Sequence, residues 1–191
     1  MGFLDSLLGR SRTPKPAKQD RLWAMSTAHV TLDTSLQMQS SGKAGIVFQA
    51  EATADFARIV ADAQELLHAT GEETGTQIET QDDKFGYRWV VLADPDVEDL
   101  VVGISSIKDS LDVGGYGARI LAAVFRFTRE NGRDVYFIYN IKRGFWYPFV
   151  PAEGEQVRDN EAELRLKAQL GGELPMEPEL ERWFPLWGVP L

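Results

Sequence analysis

The chain has 191 residues, no cysteine, two histidines and a formal net charge of −9. That length supports one well-buried core with appendages rather than two ordinary domains. Without cysteine there is no disulfide framework, thiolate metal site or cysteine nucleophile, and no run approaches the roughly 18 apolar residues of a membrane span.

The first twenty residues read differently from the rest. Phe3, Leu4, Leu7 and Leu8 form one apolar stripe at helical spacing, with Asp5 and Ser6 off it, and Gly9 ends the turn. Pro14 and Pro16 then impose an extended linker. Residues 1–21 carry Arg10, Arg12, Lys15, Lys18 and Arg21 against Asp5 and Asp20, a local +3 that leaves −12 on residues 22–191. An acidic body repels phosphate, which argues against nucleic acid; a basic tail on such a body suits an anionic membrane surface or an acidic partner. Apolar groups followed by cations suit a weak, reversible interfacial anchor or a helix seated in a partner's groove. Phe3, Leu4, Leu7, Leu8, Arg10, Arg12 and Lys15 are therefore the candidate contact residues. The start also fits the short myristoylation pattern with Ser6 in its last position, a match that arises easily by chance.

Residues 1–19 are thus read as a segment and linker, and 20–191 as one domain. It opens with a helical turn through Leu22, Trp23 and Met25, followed by strand-like pieces at His29–Leu32 and Ala44–Ala50. Phe56, Ile59, Val60, Ala63, Leu66 and Leu67 recur as a helix stripe, with Thr53 placed to cap it and Gly71 to stop it. Strands are expected at Thr76–Gln81 and Phe85–Leu92, with Phe85, Tyr87, Trp89 and Val91 alternating onto one face. Asp94 reads as the N-cap of a second helix, with Pro95 at its first position and Val97, Leu100, Val101, Ile104, Ile107 and Leu111 as its stripe, ending at Gly114. A hairpin, Arg119–Phe127 and Arg133–Ile141, turns at Asn131-Gly132. The pattern is αββ twice. It predicts an α+β fold whose antiparallel-dominated sheet carries its helices on one face. A C-terminal helix runs from Asn160, where Glu163 has capping-box spacing, to Leu170. Beyond it, the proline-rich end should fold Trp183, Phe184, Leu186 and Trp187 back onto the body.

Catalytic patterns find too few parts. In "GGYGARI" (114–120) the order is helix, glycines, strand, the reverse of a phosphate loop, so a helix cap and turn is the expected role. Glu173, Glu177, Glu179 and Glu181 read as a solvated acidic surface, and His29 and His68 stand apart without metal-ligand spacing. No catalytic residue, cofactor or metal is assigned. "KRGFWYPFVP" (142–151) is the unusual stretch: Lys142, Arg143, Phe145, Trp146 and Tyr147 mix cations and aromatics as binding surfaces do, while strand alternation would bury half of the rings. Structural packing is the commoner fate of such rings, and a second contact the alternative.

Several stretches carry a family resemblance: "MGFLDSLLGR" at the start, "YNIKRGFWYPFVP" from Tyr139, "RDNEAELRLKAQLGGELP" from Arg158 and "ELERWFPLWGVP" from Glu179. Together they resemble the PspAB-like proteins associated with phage-shock protein A. The resemblance runs end to end and is weakest over 27–50. It implies a non-enzymatic accessory or regulatory factor of the membrane-stress system built around coiled-coil phage-shock proteins. It also implies a place in the cytoplasm, at the inner face of the membrane, alongside a membrane protease. The competing expectation, from a different class, is a small-ligand-binding or enzymatic α+β domain with a pocket near Trp146 and Tyr147.

Overall fold

The computed structural model describes residues 21–49, 54, 56–62, 65 and 75–191. The N-terminal stripe and linker lie outside the described residues, as do the expected helix cap Thr53 and stop Gly71. A single 3-10 turn, Arg21–Ala24, leads into α1, Met25–Leu36. A strand expected at His29–Leu32 is therefore helix. Leu22, Met25, Ala28 and Leu32 recur every three or four residues and are all buried, so tertiary burial of that stripe overrides the strand preference of Val30 and Thr31. Gln37 ends α1 in the left-handed conformation.

The chain then enters β1, Met38–Gln49, which starts six residues earlier than the sequence predicts because its first half is polar and only half-buried. Residues 56–62 are helical (α2), with Phe56 and Val60 buried. Strands β2, Gln77–Asp82, and β3, Tyr87–Ala93, follow, then α3, Val97–Val113. The α3 stripe is buried at every expected position, but its N-cap is Asp96, whose carboxylate accepts from the Glu98 amide. Asp94 instead accepts hydrogen bonds from the Asp96 amide and the Thr76 hydroxyl, tying the helix entry to the start of β2. Strands β4, Ile120–Arg129, β5, Asp134–Asn140, and β6, Phe145–Phe149, precede α4, Asn160–Leu170.

The sheet order is β2-β3-β1-β4-β5-β6, antiparallel throughout. The α2-β2-β3 and α3-β4-β5 units lie on either side of β1, which pairs with both β3 and β4: Ile46 stands opposite Val90 on one side and Ala123 on the other. The edge strand β6 contains Pro148, whose missing N–H falls on the outward side. There the Trp146 amide two residues earlier already bonds outward, to Pro175 O, and the Glu177 amide bonds Trp146 O.

The expected α+β architecture with helices on one face is what forms. On that face Phe48, Phe56 and Tyr116 pack edge to face, and Trp146 is enclosed by Phe125 and Tyr139. Gly114, just past α3, lets Ile59 of α2 approach within 2.4 Å of where a Cβ would stand. The opposite face is apolar as well, with Val47, Trp89, Val91, Val124, Tyr136, Ile138, Tyr147 and Phe149. No helix covers these among the described residues. The chain from 178 to 191 does, as a strap without regular structure apart from a turn at Leu180–Arg182. Trp183 stacks on Tyr147 and Trp187 meets Phe149 edge-on, which is the fold-back expected of the tail; Leu186 and Trp187 are half-buried and Phe184 is exposed.

If the strap is a structural layer, Trp183→Ala should cost about 3–5 kcal/mol, as other buried tryptophan truncations do. Leu180→Ala, at a position 47% exposed, should stay within about 0.5 kcal/mol of the parent; denaturant unfolding measures both.

Candidate functional site

The strap backbone forms no ladder with the sheet. Its prolines carry no amide hydrogen, and five of its carbonyl oxygens are taken by long side chains from the body. Lys167 donates to Pro178 O, Arg158 to Trp183 O at 2.7 Å, the Tyr147 hydroxyl to Phe184 O, Gln81 to Pro190 O and Arg126 to Leu191 O at 2.8 Å. Burial pushes the Tyr147 hydroxyl well above the ordinary phenol range, so it remains a donor. At the far end Gly45 gives the room: a Cβ there would stand 3.0 Å from the Leu191 side chain and 3.2 Å from the Trp89 ring.

Two carboxylates deep in the structure hold the strap's near end. Glu163, 2% exposed, accepts from the Val150 amide and from the Arg158 guanidinium, whose closest contact is 2.6 Å; the same arginine reaches Trp183 O. The N-cap of α4 is Asp159 rather than Asn160, its carboxylate accepting from the Ala162 amide, so Glu163 is not the acid of a capping box begun at Asn160. Glu177, expected as part of a solvated surface, is 1% exposed and receives Arg143 at 2.5 and 3.1 Å. Its backbone oxygen accepts from the Trp183 indole. A buried carboxylate is stable only when so compensated. The Arg143 hydrogen bonds hold the Glu177 carboxyl below its ordinary value of 4.5. Glu173, Glu179 and Glu181 are exposed as expected.

Between the pinning points at Phe184 and Pro190 the strap arches away from the sheet, and a cleft of about 440 Å³ opens beneath it. Val47, Trp89, Leu121, Ala122 and Tyr147 form its floor, and Phe184, Pro185, Leu186, Trp187 and Val189 its roof. Phe85, Tyr87, Asp83, Asn140 and Lys142 line it as well. Phe85 and Phe184 are 59% and 60% exposed, an uncommon cost for two large rings that line one cleft from distant parts of the chain.

The polar lining is committed to the fold. Burial pushes Asp83 upward, but hydrogen bonds from the Trp89 indole and from the Tyr87 and Phe85 amides outweigh it and hold the carboxyl below its ordinary range. Asn140 accepts from the Arg143 amide. Lys142, by contrast, carries no ion pair among the described residues. The arrangement can desolvate an apolar object and sets cations at its edge, Lys142 and also Lys84, whose ammonium lies over the Phe85 ring at 5.1 Å.

The five residues of the aromatic stretch have different fates. Lys142 is exposed at the cleft, and Arg143 is paired to Glu177 and Glu179. Phe145 lies half-buried under the Arg21 guanidinium at 4.8 Å, Trp146 is fully buried with its indole donating to Arg21 O, and Tyr147 is buried as cleft floor. Phe85, Tyr87 and Trp89 were legible as one strand face; that Val47, Ala122 and the strap complete a site with them was not, because nothing local in the sequence announces it. Among the described residues no cluster of three histidine, aspartate or glutamate side chains could hold a metal ion, and no helix is long and apolar enough to cross a membrane. Gly114 caps α3 and the following glycines turn the chain into β4, the role read for "GGYGARI".

Two measurements check the anchoring. Arg158→Leu leaves Glu163 buried without its partner and should destabilise by about 3 kcal/mol, whereas Arg158→Leu with Glu163→Leu should cost clearly less than the sum of the single changes. The Glu177 carboxyl is depressed in the folded state, so its contribution is complete above its ordinary 4.5 and is lost as pH falls through the lower folded value. The Tm difference between the parent and Glu177→Gln should therefore stay constant from about pH 7 to 5 and shrink below about 4.5.

No curated protein and no solved structure matches the chain. The family model for PspA associated protein B does, over residues 1–191, and the chain belongs to that family, in agreement with the resemblance seen in its sequence.

Proposed function

We propose that this chain is a non-enzymatic accessory protein of the phage-shock membrane-stress response, that it binds PspA, and that the cleft beneath the strap receives an apolar helical stripe of that coiled-coil protein. The observation carrying the proposal is the cleft: apolar floor and roof, two exposed aromatic rims, and Asp83 and Asn140 already engaged in holding the fold. An active site needs polar groups poised for a reacting atom, whereas an amphipathic helix needs a groove lined with rings and aliphatic groups. The family's description supplies the partner's identity. The N-terminal stripe of Phe3, Leu4, Leu7 and Leu8 with Arg10, Arg12 and Lys15 adds a second, weaker surface, suited to the anionic inner face of the cytoplasmic membrane.

The cleft volume of about 440 Å³ also falls in the range of about 300–1,000 Å³ that holds small molecules, and this favours the ligand-binding reading. The two readings separate on the rims, because a small ligand would sit on the floor between Trp89 and Tyr147 while a helix must cross Phe85 and Phe184.

In titration calorimetry with purified PspA, the full-length chain carrying Phe85→Ser and Phe184→Ser should bind at least about tenfold more weakly than the parent, with circular dichroism and Tm unchanged, since exposed hot-spot aromatics carry interface energy without supporting the core. Equal affinity of the two proteins would remove the cleft from the PspA contact.

A further inference from the structure

We infer that, when no partner is seated, the cleft is occupied by this chain's own N-terminal stripe, Phe3, Leu4, Leu7 and Leu8. The inference rests on reading the cleft as a seat for an apolar helical stripe, but it does not depend on PspA being the partner.

The position of Arg21 carries the argument. Its carbonyl receives the Trp146 indole at 2.9 Å, its guanidinium donates to Gly144 O at 3.3 Å, and the same group lies over the Phe145 ring. Those contacts fix the start of the described chain at the β5–β6 turn. Phe145 stands opposite Asn140 in the register, and both Asn140 and Lys142 line the cleft. The chain outside the described residues thus ends beside the mouth of the cleft. Residues 9–20 separate Arg21 from the stripe, and twelve residues extend to about 40 Å at most, more than enough to cross an opening that spans a few strands at about 4.8 Å each.

Chemistry agrees with reach. The stripe presents apolar groups to an apolar cleft whose rings Phe85 and Phe184 are more than half exposed, and Asp5 beside the stripe complements Lys142, which has no ion pair among the described residues. The twelve-residue tether supplies concentration: short linkers give effective values near 1 mM, so a segment binding in trans at only about 0.1 mM would be seated about nine-tenths of the time in cis. The consequence is competition. A partner helix has to displace the stripe, and the stripe cannot lie on a membrane while it lies in the cleft, so partner binding and exposure of the basic, apolar N-terminus are coupled.

The absence of cysteine makes the test direct. Full-length Ser6→Cys with Lys142→Cys places a thiol beside the stripe and another at the cleft edge without removing an apolar contact. Ser6→Cys with Val30→Cys places the second on α1, under the other face and about 14 Å along the chain from Arg21. A bifunctional maleimide at low protein concentration should close the Ser6–Lys142 pair within single molecules at least tenfold faster than the Ser6–Val30 pair; equal or inverted rates would overturn the inference. As a second readout, a peptide of residues 1–12 should bind full-length Leu7→Glu/Leu8→Glu, whose cleft is vacated, about tenfold more tightly than the parent. Equal affinity for both, or binding to neither, would also overturn it. Neither arm contains PspA, so failure here leaves the PspA titration intact, and failure there leaves cis occupancy intact.

Discussion

The central strands of this sheet are apolar on both sides, and that constraint organises everything around them. Ala44–Phe48 of β1, Trp89–Leu92 of β3 and Val135–Tyr139 of β5 are buried without interruption, where a sheet with one wet face would alternate. Four helical segments dispose of one face. The other cannot be left to water, and the remaining chain after α4 is too rich in proline to form a helix or another strand over it. Covering that face therefore falls to an irregular segment, whose backbone must be satisfied by some means other than regular hydrogen bonding.

The solution explains residues that otherwise look misplaced. Prolines remove donors from the strap, and Lys167, Arg158, Tyr147, Gln81 and Arg126 reach its carbonyls from the body. Those long donors in turn need fixed positions. Arg158 is held by Glu163, and at the neighbouring corner Glu177 joins the strap's root to Arg143 on the β5–β6 turn. Trp146 locks the same corner from beneath, joining Arg21, the edge strand and residues 175–177. The charges here serve to position a cover; they are not the acid/base pairs that an acidic tail might suggest.

A cover pinned at separate points leaves space where it arches, and the cleft is that space. Its apolar lining is a direct result of the two-faced sheet beneath it, and its committed polar groups result from the turn at Asp83 and the corner at Asn140. Membership of the PspA associated protein B family gives the cleft a proposed partner class. The chain's entry beside its mouth gives it a proposed internal competitor. Both proposals draw on one physical property, an apolar seat that the fold itself does not fill.

The sequence alone determined the elements whose signals are local. The α3 stripe, the two hairpins, the glycine after α3 and the α+β class all follow from spacing and turn residues within a few positions, and the family stretches were legible at both ends. It misplaced what depends on distant surfaces. Val30 and Thr31 looked like strand until Leu22, Met25, Ala28 and Leu32 found a core to enter, and polar Gln39–Lys43 became strand only because β4 lay alongside. Glu163 and Glu177 read as a cap and a solvated acid because their partners, Arg158 with the Val150 amide and Arg143, are brought to them by folding. Tertiary structure alone decided that Phe85, Trp89, Ala122, Tyr147 and Trp187 share one cleft. Periodicity reports which side of an element is apolar, but which apolar surfaces meet, and where they fail to meet completely, is settled only when the whole chain competes for the two faces of one sheet.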